Sequence, residues 1–319
     1  MSVEKKNSVA NRQVVCDVLV EYAGQNRDLV VLTSDSRGSA SLANFAEKLP
    51  DQLVEVGIAE QNIVSIAAGL AHSGKRPFVA SPACFLSMRS IEQIKVDVAY
   101  SNTNVKLIGI SGGVSYGALG MSHHSLQDIA VTRAIPNLQV LLPADRFETE
   151  KMFQALATSD EPAYIRIGRN PVEDCYDSSD YNFEIGKAVT LRNGNDITIV
   201  ATGETVRIAL DASDQLREAG IEARVLNYHT IKPFDSETLL QAASETGKII
   251  SIEEHSIYGG LGGAVAEVLS EKTGVSHKIM GMPDEPAITG NAREIFDHYG
   301  LNSQGVRKFA LEMVKELVR

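Results

Sequence analysis

Apolar residues along the chain fall into blocks whose period switches between helix and strand. Segment 8–24 spaces Val14, Val15, Val18 and Leu19 at helical intervals, and Leu29-Val30-Val31-Leu32 is a short unbroken run suited to a buried strand. The exchange continues with a strand at 52–56, a helix at 59–72, a strand at 77–81, a helix at 86–101 and a strand at 105–110. A glycine-rich loop, SGGVSYGALGMSHH, then fills 111–124. Ser125-x-x-Asp128 has the form of a capping box and predicts a helix to about residue 134. A strand at 138–142 leads to Pro143, Asp145-x-x-Glu148 opens another helix, and a strand at 163–167 follows.

Residues 168–185 carry Pro171, acidic residues and Ser-Ser without a sustained period, which reads as a linker. A second alternation follows: strand 196–201, helix 205–219 stopping at Gly220, strand 223–227, helix 236–246 and strand 248–252. The turn YGGLGG precedes a helix at 263–272, and 291–298 and 303–318 read as terminal helices. Repeated strand–helix alternation predicts α/β architecture, with parallel sheets covered by helices on both faces. The expected organisation is two doubly wound domains, 1–170 and 187–319, joined by a linker at 171–186. In such sheets ligands sit beyond the carboxyl ends of strands, so residues that follow strands are the ones to weigh.

The length of 319 residues suits two domains at roughly 150 residues each. A net charge of −11 argues against a general nucleic-acid binder, which needs a basic face. Cys16, Cys84 and Cys175 include no C-x-x-C pair, which excludes a disulfide framework and a cysteine-only zinc site. The opening MSVEKKNSVANRQ lacks a signal-peptide core, and no run approaches the roughly 18 apolar residues of a membrane span. The expectation is a cytoplasmic protein with no membrane and no nucleic-acid partner.

Three groups of residues can carry chemistry. Glu60 follows a strand and opens a helix. It either complements the helix dipole or, because the helix behind it is almost wholly apolar, lies near the core as a paired or proton-handling carboxylate. The loop 111–124 carries His123-His124, which as neighbours cannot both face one small site, so a shared metal is not expected. Its glycines at 112, 113, 117 and 120 suit a backbone that passes close to something. Arg12, Ser39, Ser111, Arg166 and Arg169 form a scatter of groups that can bind anions or simply be solvated. Gly260-x-Gly262-Gly263 lacks the strand context and downstream acid of a dinucleotide fingerprint, and GxxxxGK[ST] is absent.

GIAEQN at 57–62, FLSMRSIEQIKVDVAY at 85–100, GALGMSHHSLQD at 117–128, LLPAD at 141–145 and IEEHSIYGGLGGAVAEVL at 252–269 stand in an order that resembles the second half of the transketolase family. The resemblance runs from about residue 8 to the C-terminus and implies a pyrimidine-binding domain followed by a transketolase C-terminal domain. It implies thiamine diphosphate as cofactor. Glu60 falls on the family glutamate that contacts N1′ of the aminopyrimidine, where a carboxyl group promotes loss of the proton from C2 of the thiazolium. Phe85 matches the aromatic stacked on that ring, and Asp35 an aspartate near the cofactor. His123 matches the histidine at the reacting end of the substrate. Arg12, Ser39 and, within one residue, Arg169 match positions that hold a sugar phosphate, with Ser111 beside them.

Departures accompany the match. Ser111 stands where typical transketolases have a second histidine, Leu119 replaces an aspartate that reads the C2 hydroxyl, and Met88 and Ile91 replace aromatics. The first two changes suit a ketose with a modified tail or different stereochemistry. The GDG motif that binds diphosphate and its Mg2+ or Ca2+ is absent. The resemblance therefore implies the β subunit of a split enzyme, completed in trans by an α subunit as α2β2, that moves a two-carbon ketol unit between sugar phosphates; no metal ligand is expected in this chain. The alternatives are a 2-oxo-acid dehydrogenase β subunit and a non-catalytic scaffold. His255, His229, Lys232 and Cys84 are expected to be packing residues.

Overall fold

A computed structural model describes residues 9–315; the start of the first expected helix and the end of the last lie outside the described residues. The first half runs α1 (Asn11–Gln25), β1 (Leu29–Thr33), α2 (Ala43–Lys48), β2 (Leu53–Glu55), α3 (Glu60–His72), β3 (Arg76–Pro82), α4 (Ala83–Arg89), α5 (Ile91–Gln93), β4 (Lys106–Ile110), α6 (Asp128–Arg133), β5 (Gln139–Leu141), α7 (Arg146–Thr158) and β6 (Ala163–Ile167). The second half runs β7 (Val189–Arg192), β8 (Ile197–Ala201), α8 (Thr205–Arg217), β9 (Ala223–Asn227), β10 (Thr230–Lys232), α9 (Ser236–Thr246), β11 (Lys248–Ser256), α10 (Leu261–Leu269), β12 (Ser276–Met282), α11 (Ala292–Tyr299) and α12 (Ser303–Lys315).

Two sheets result, ordered β10-β5-β6-β4-β3-β1-β2 and β12-β11-β8-β9-β7. β1, β3, β4 and β6 are buried along almost their whole length, as expected of parallel strands covered on both faces. The first sheet turns back at β1, which lies between β2 and β3, so a crevice opens beyond the carboxyl ends of β1 and β3. There the Ser34 and Ser81 hydroxyls meet at 2.7 Å.

Several expectations need correction. The sheets are not wholly parallel: β10 pairs antiparallel with β5 and β7 antiparallel with β9, and β7, β10 and β12 were not anticipated. These strands are short or flank the sheets, so their apolar signal is weak. The helix expected at 86–101 starts at Ala83 and breaks at Ser90, and it continues from α5 as a π-helical run, Ile94–Tyr100. The Ser125 capping box does not form; Asp128 instead accepts from the Tyr164 hydroxyl at 2.7 Å, and the Ser125 backbone bridges to Gly113. α10 begins at Leu261 because the buried Glu253 carboxylate receives the Leu261 and Gly262 amides. The Asp145 cap does form, accepting from the Glu148 amide at 3.0 Å.

The segment between the two halves carries no regular element but is docked. Asp145 Oδ2 accepts from the Cys175 and Tyr176 amides, and the Tyr176 hydroxyl donates to Glu148 Oε1 at 2.9 Å. Asn227, at the end of β9, donates to both Glu148 oxygens at 2.8 and 3.0 Å. The halves are further joined by a buried charge cluster: Arg166 lies 3.2 Å from Glu254 and 3.6 Å from Asp128. Arg166, read as either an anion binder or a solvated residue, is neither: it is buried and spent on internal carboxylates.

Candidate active site

Four strands deliver the candidate residues, each just beyond a carboxyl end. Asp35 follows β1, Phe85 lies in the helix after β3, Ser111 follows β4 and Arg169 follows β6. β4 and β6 pair with Ile110 opposite Ile167, and the Gly112 amide donates to the Ile167 carbonyl, so the last two loops leave the sheet side by side. Asp35 and Ser111 both adopt positive φ, +54° and +55°, so each chain reverses immediately after its strand.

Glu60 is the first residue of α3 and only 5% exposed. α3 is less buried than its composition implied: Gln61, Asn62, Ser65 and Gly69 are exposed, and Ile66 and Leu70 are half-buried. The Glu60 carboxylate receives Arg89 Nη1 at 3.0 Å. The guanidinium of Arg89 also lies 3.9 Å from the centroid of the Phe85 ring. A cavity of about 370 Å3 opens here between Ile58, Glu60, Asn62 and Arg89. Sequence reasoning did not single out Arg89; its place one helical turn after Phe85 was the available signal.

From Phe85 the contacts continue. The His123 ring meets Phe85 edge-on at 5.1 Å, and Tyr116 meets His123 edge-on at 5.6 Å. Arg169 lies over Tyr116, 5.2 Å from its centroid. Arg12 has its pKa lowered, by burial first and then by the charge of nearby Arg169, and its Nη1 donates to the Ser39 carbonyl at 2.7 Å. Arg12 Nε and Arg169 Nη1 are buried without partners among the described residues. The structure therefore brings Glu60, Phe85, His123, Arg169, Arg12 and Ser39 into one continuous run.

Asp35 and Ser111 stand apart from that run. Asp35 lines a separate cavity of about 410 Å3 with Arg37, Glu55 and Ile58, and Ile58 also borders the Glu60 cavity. Ser111 is fully buried, and its hydroxyl has no partner among the described residues. His124 is buried with Nε2 3.0 Å from the Gly117 carbonyl, and burial lowers its pKa, which makes it a neutral loop brace. Burial pushes the Cys84 thiol up to about 11, so it stays protonated and unreactive. His255, His229 and Lys232 are packing groups: His255 accepts from the Ala130 amide if its Nε2 is unprotonated, His229 is buried beside Phe183, and Lys232 donates to the Arg133 and Ile135 carbonyls. Among the described residues no cluster of three or more His, Cys, Asp or Glu side chains is arranged to hold a metal.

Comparison with known proteins places the chain in a family. Residues 7–173 match the family model of the transketolase pyrimidine binding domain, and residues 186–306 that of the transketolase C-terminal domain. The chain belongs to the transketolase family. It is 54% identical over 310 residues to a subunit of the apulose-4-phosphate transketolase of Phocaeicola vulgatus, covering 97% of this chain and 99% of that protein. It is 38% identical to the 6-deoxy-6-sulfo-D-fructose transketolase subunit SqwH of Clostridium sp., covering 97% of this chain and 92% of the relative. Among solved structures, one described as a split gene transketolase in an inactive beta4 tetramer superposes with a TM-score of 0.87 at 36% identity, covering 97% of this chain and 99% of that one. In contrast, the chain spans 49% of the 1-deoxy-D-xylulose-5-phosphate synthase of Desulfotalea psychrophila, at 35% identity. Transketolase family members of this half-length thus share its two-domain extent. No helix among the described residues is long and apolar enough to cross a membrane.

Proposed function

We propose that this chain is the C-terminal subunit of a two-component transketolase that transfers a two-carbon ketol unit from a ketose phosphate to an aldose phosphate. The observation that carries the reading is the run of side chains from the buried carboxylate of Glu60, through Phe85 and His123, to Arg169 and Arg12. It joins a proton-handling acid to an anion-binding end within one crevice. We further take 1–170 as the pyrimidine-binding domain, 171–186 as linker and 187–319 as the C-terminal domain.

The donor set suits the aminopyrimidine of thiamine diphosphate. The buried Glu60 carboxylate and Arg89 border a cavity open to the surface, and Arg89 lies over the Phe85 ring, while nothing in GIAEQN or the glycine loop supplies a diphosphate and metal site. Bound there, the cofactor would supply a carbon nucleophile that adds to the carbonyl of a ketose. Glu60 would hold or return a proton at N1′ of the ring and Phe85 would fix the ring plane, while Asp35 lines the adjoining cavity that meets this one at Ile58. His123 places an imidazole where charge develops on the substrate oxygen. Arg12, Arg169 and Ser39 take the phosphate end, whereas Ser111, expected beside them, is fully buried away from that run. The diphosphate and its Mg2+ or Ca2+ fall to a partner α subunit, in an α2β2 assembly of the cytoplasm.

The exposed apolar side chains support a covered face. Ile58 is 73% exposed and Tyr100 84%, and Met88 and Val96, on the helical segments that end at Tyr100, are exposed as well. Apulose 4-phosphate is the first sugar phosphate to test, given the 54% identity to a subunit named for it. The test is turnover by this chain alone, with a GDG-bearing partner, and with Glu60→Ala in the pair. Turnover only by the wild-type pair is expected; full turnover by the lone chain or by the mutant pair overturns the reading.

A further inference from the structure

Arg169 presents an unusual balance of contacts. No ion pair to Arg169 or Arg12 is formed among the described residues, although the chain is acidic overall. The two guanidiniums are close enough that the charge of Arg169 lowers the pKa of Arg12, so each disfavours the other's position. Something other than a carboxylate must hold Arg169. The contact that does so is the face of Tyr116, 5.2 Å from the guanidinium carbon. A carboxylate partner would neutralise the arginine and compete with an incoming phosphate. An aromatic face holds a cation in place and leaves its N–H groups free.

Tyr116 is itself fixed from both sides. Its ring packs edge-on against His123 at 5.6 Å. The next residue, Gly117, has φ of +34°, and a Cβ there would lie 2.2 Å from the Gly290 carbonyl oxygen of the second domain. The Gly117 carbonyl meets His124, and the base of the loop is closed by the Gly113–Ser125 bridge. The Val114 amide donates to Glu254 Oε1 at 2.8 Å, so the loop is tied to the neighbouring domain two residues before Tyr116.

We propose that Tyr116 is a positioning residue that sets the reach between His123 and the phosphate arginines, and thereby selects sugar phosphates by chain length. This rests on the reading of His123 as the group at the reacting end and of Arg169 as a phosphate ligand. A ring wedged between the two holds them at one separation. A substrate whose phosphate lies one carbon nearer or farther then loses one contact or the other.

The test uses the assembled two-subunit enzyme with Tyr116→Phe, Tyr116→Leu and Arg169→Met. Substrates are aldose phosphates differing by one carbon and the same aldoses without phosphate. Tyr116→Phe keeps the ring and is expected to retain wild-type KM and chain-length preference. Tyr116→Leu is expected to raise KM for the preferred aldose phosphate about tenfold. Its preference between chain lengths should narrow, and its KM for unphosphorylated aldoses should not move. An unchanged KM and preference in Tyr116→Leu, an equal rise for phosphorylated and unphosphorylated aldoses, or an equal loss in Tyr116→Phe overturns the proposal. Arg169→Met separates the two ideas: if it leaves the advantage of phosphorylated substrates intact, the phosphate reading of Arg169 fails, and the proposal falls with it.

Discussion

Arg89 holds the buried carboxylate of Glu60 at 3.0 Å and lies 3.9 Å over Phe85, so one exposed side chain touches both groups assigned to the aminopyrimidine. If Glu60 handles the proton at N1′, then Glu60→Ala or Glu60→Gln in the assembled enzyme should cost about 10²–10⁴-fold in kcat. Arg89→Met removes only the group that orients the acid and should cost less, about tenfold. The side chain of Arg89 is 49% exposed, so its pair with Glu60 should contribute under about 1 kcal/mol to folding. Steady-state kinetics beside thermal melts check both statements. A kcat for Glu60→Gln equal to wild type contradicts the first, and a large loss of stability in Arg89→Met contradicts the second.

Arg12 and Arg169 keep buried N–H groups unsatisfied among the described residues. Each charge-assisted bond to a phosphate is worth about 1.5–3 kcal/mol. Arg169→Met should therefore raise KM for a sugar phosphate by roughly 10- to 150-fold with little change in kcat. Inorganic phosphate should inhibit the wild type and lose potency against the variant. Equal inhibition of both would remove Arg169 from the site.

Glu148 links the first domain to the interdomain segment and to β9 through Tyr176 and Asn227. Burial pushes its carboxyl up to about 7, against hydrogen bonds from Asn227, Ala144 and Tyr176 that favour the charged form. Below the ordinary carboxylate value of about 4.5 both folded and unfolded chains hold the proton, so the group adds no pH dependence. Between about 4.5 and 7 the unfolded chain releases the proton while the folded chain retains it, and stability falls as pH rises. Glu148→Gln should flatten this component. Urea denaturation at pH 5 and pH 7.5 tests it; an identical pH dependence in variant and wild type refutes it.

Arg166 is buried between Glu254 and Asp128, and Asp128 also accepts from Tyr164. Arg166→Met leaves two buried carboxylates without their cation and should destabilise the chain by about 3–5 kcal/mol. The double change Arg166→Met with Glu254→Gln should recover part of that loss, because the residual charge is smaller. Chemical denaturation of the wild type, the single variants Arg166→Met and Glu254→Gln, and the double variant measures the coupling. Strict additivity would show that Arg166 acts through packing alone.

Legibility from the sequence followed burial. Val31, Val79, Leu107 and Ile165 are fully buried in β1, β3, β4 and β6, and the apolar-rich runs around them announced those strands within a residue or two. Glu60, Phe85 and His123 were readable because each belongs to a specific run of neighbours. β10 was not readable: three residues, Thr230–Lys232, pair with a sheet made almost entirely by the other half of the chain. The Ser125 cap failed for a related reason, since Asp128 serves Tyr164, 36 residues away. Local patterning carries no information about such distant partners.

By itself the sequence determined the alternation of strand and helix, the two α/β units and the identity of the groups able to handle protons and anions. Those properties depend on short-range periodicity and side-chain chemistry. Tertiary structure decided which of those groups act together. Arg166 and Arg169 are close neighbours in the chain, yet one faces inward to Glu254 and the other stacks on Tyr116. The difference arises where β6 ends: Arg166 is still inside the strand, under the second domain, while Arg169 has left it and stands at the crevice. Arg89 reached Glu60, and Tyr116 came between His123 and Arg169, only because parallel strands deliver their following loops to one edge of the sheet.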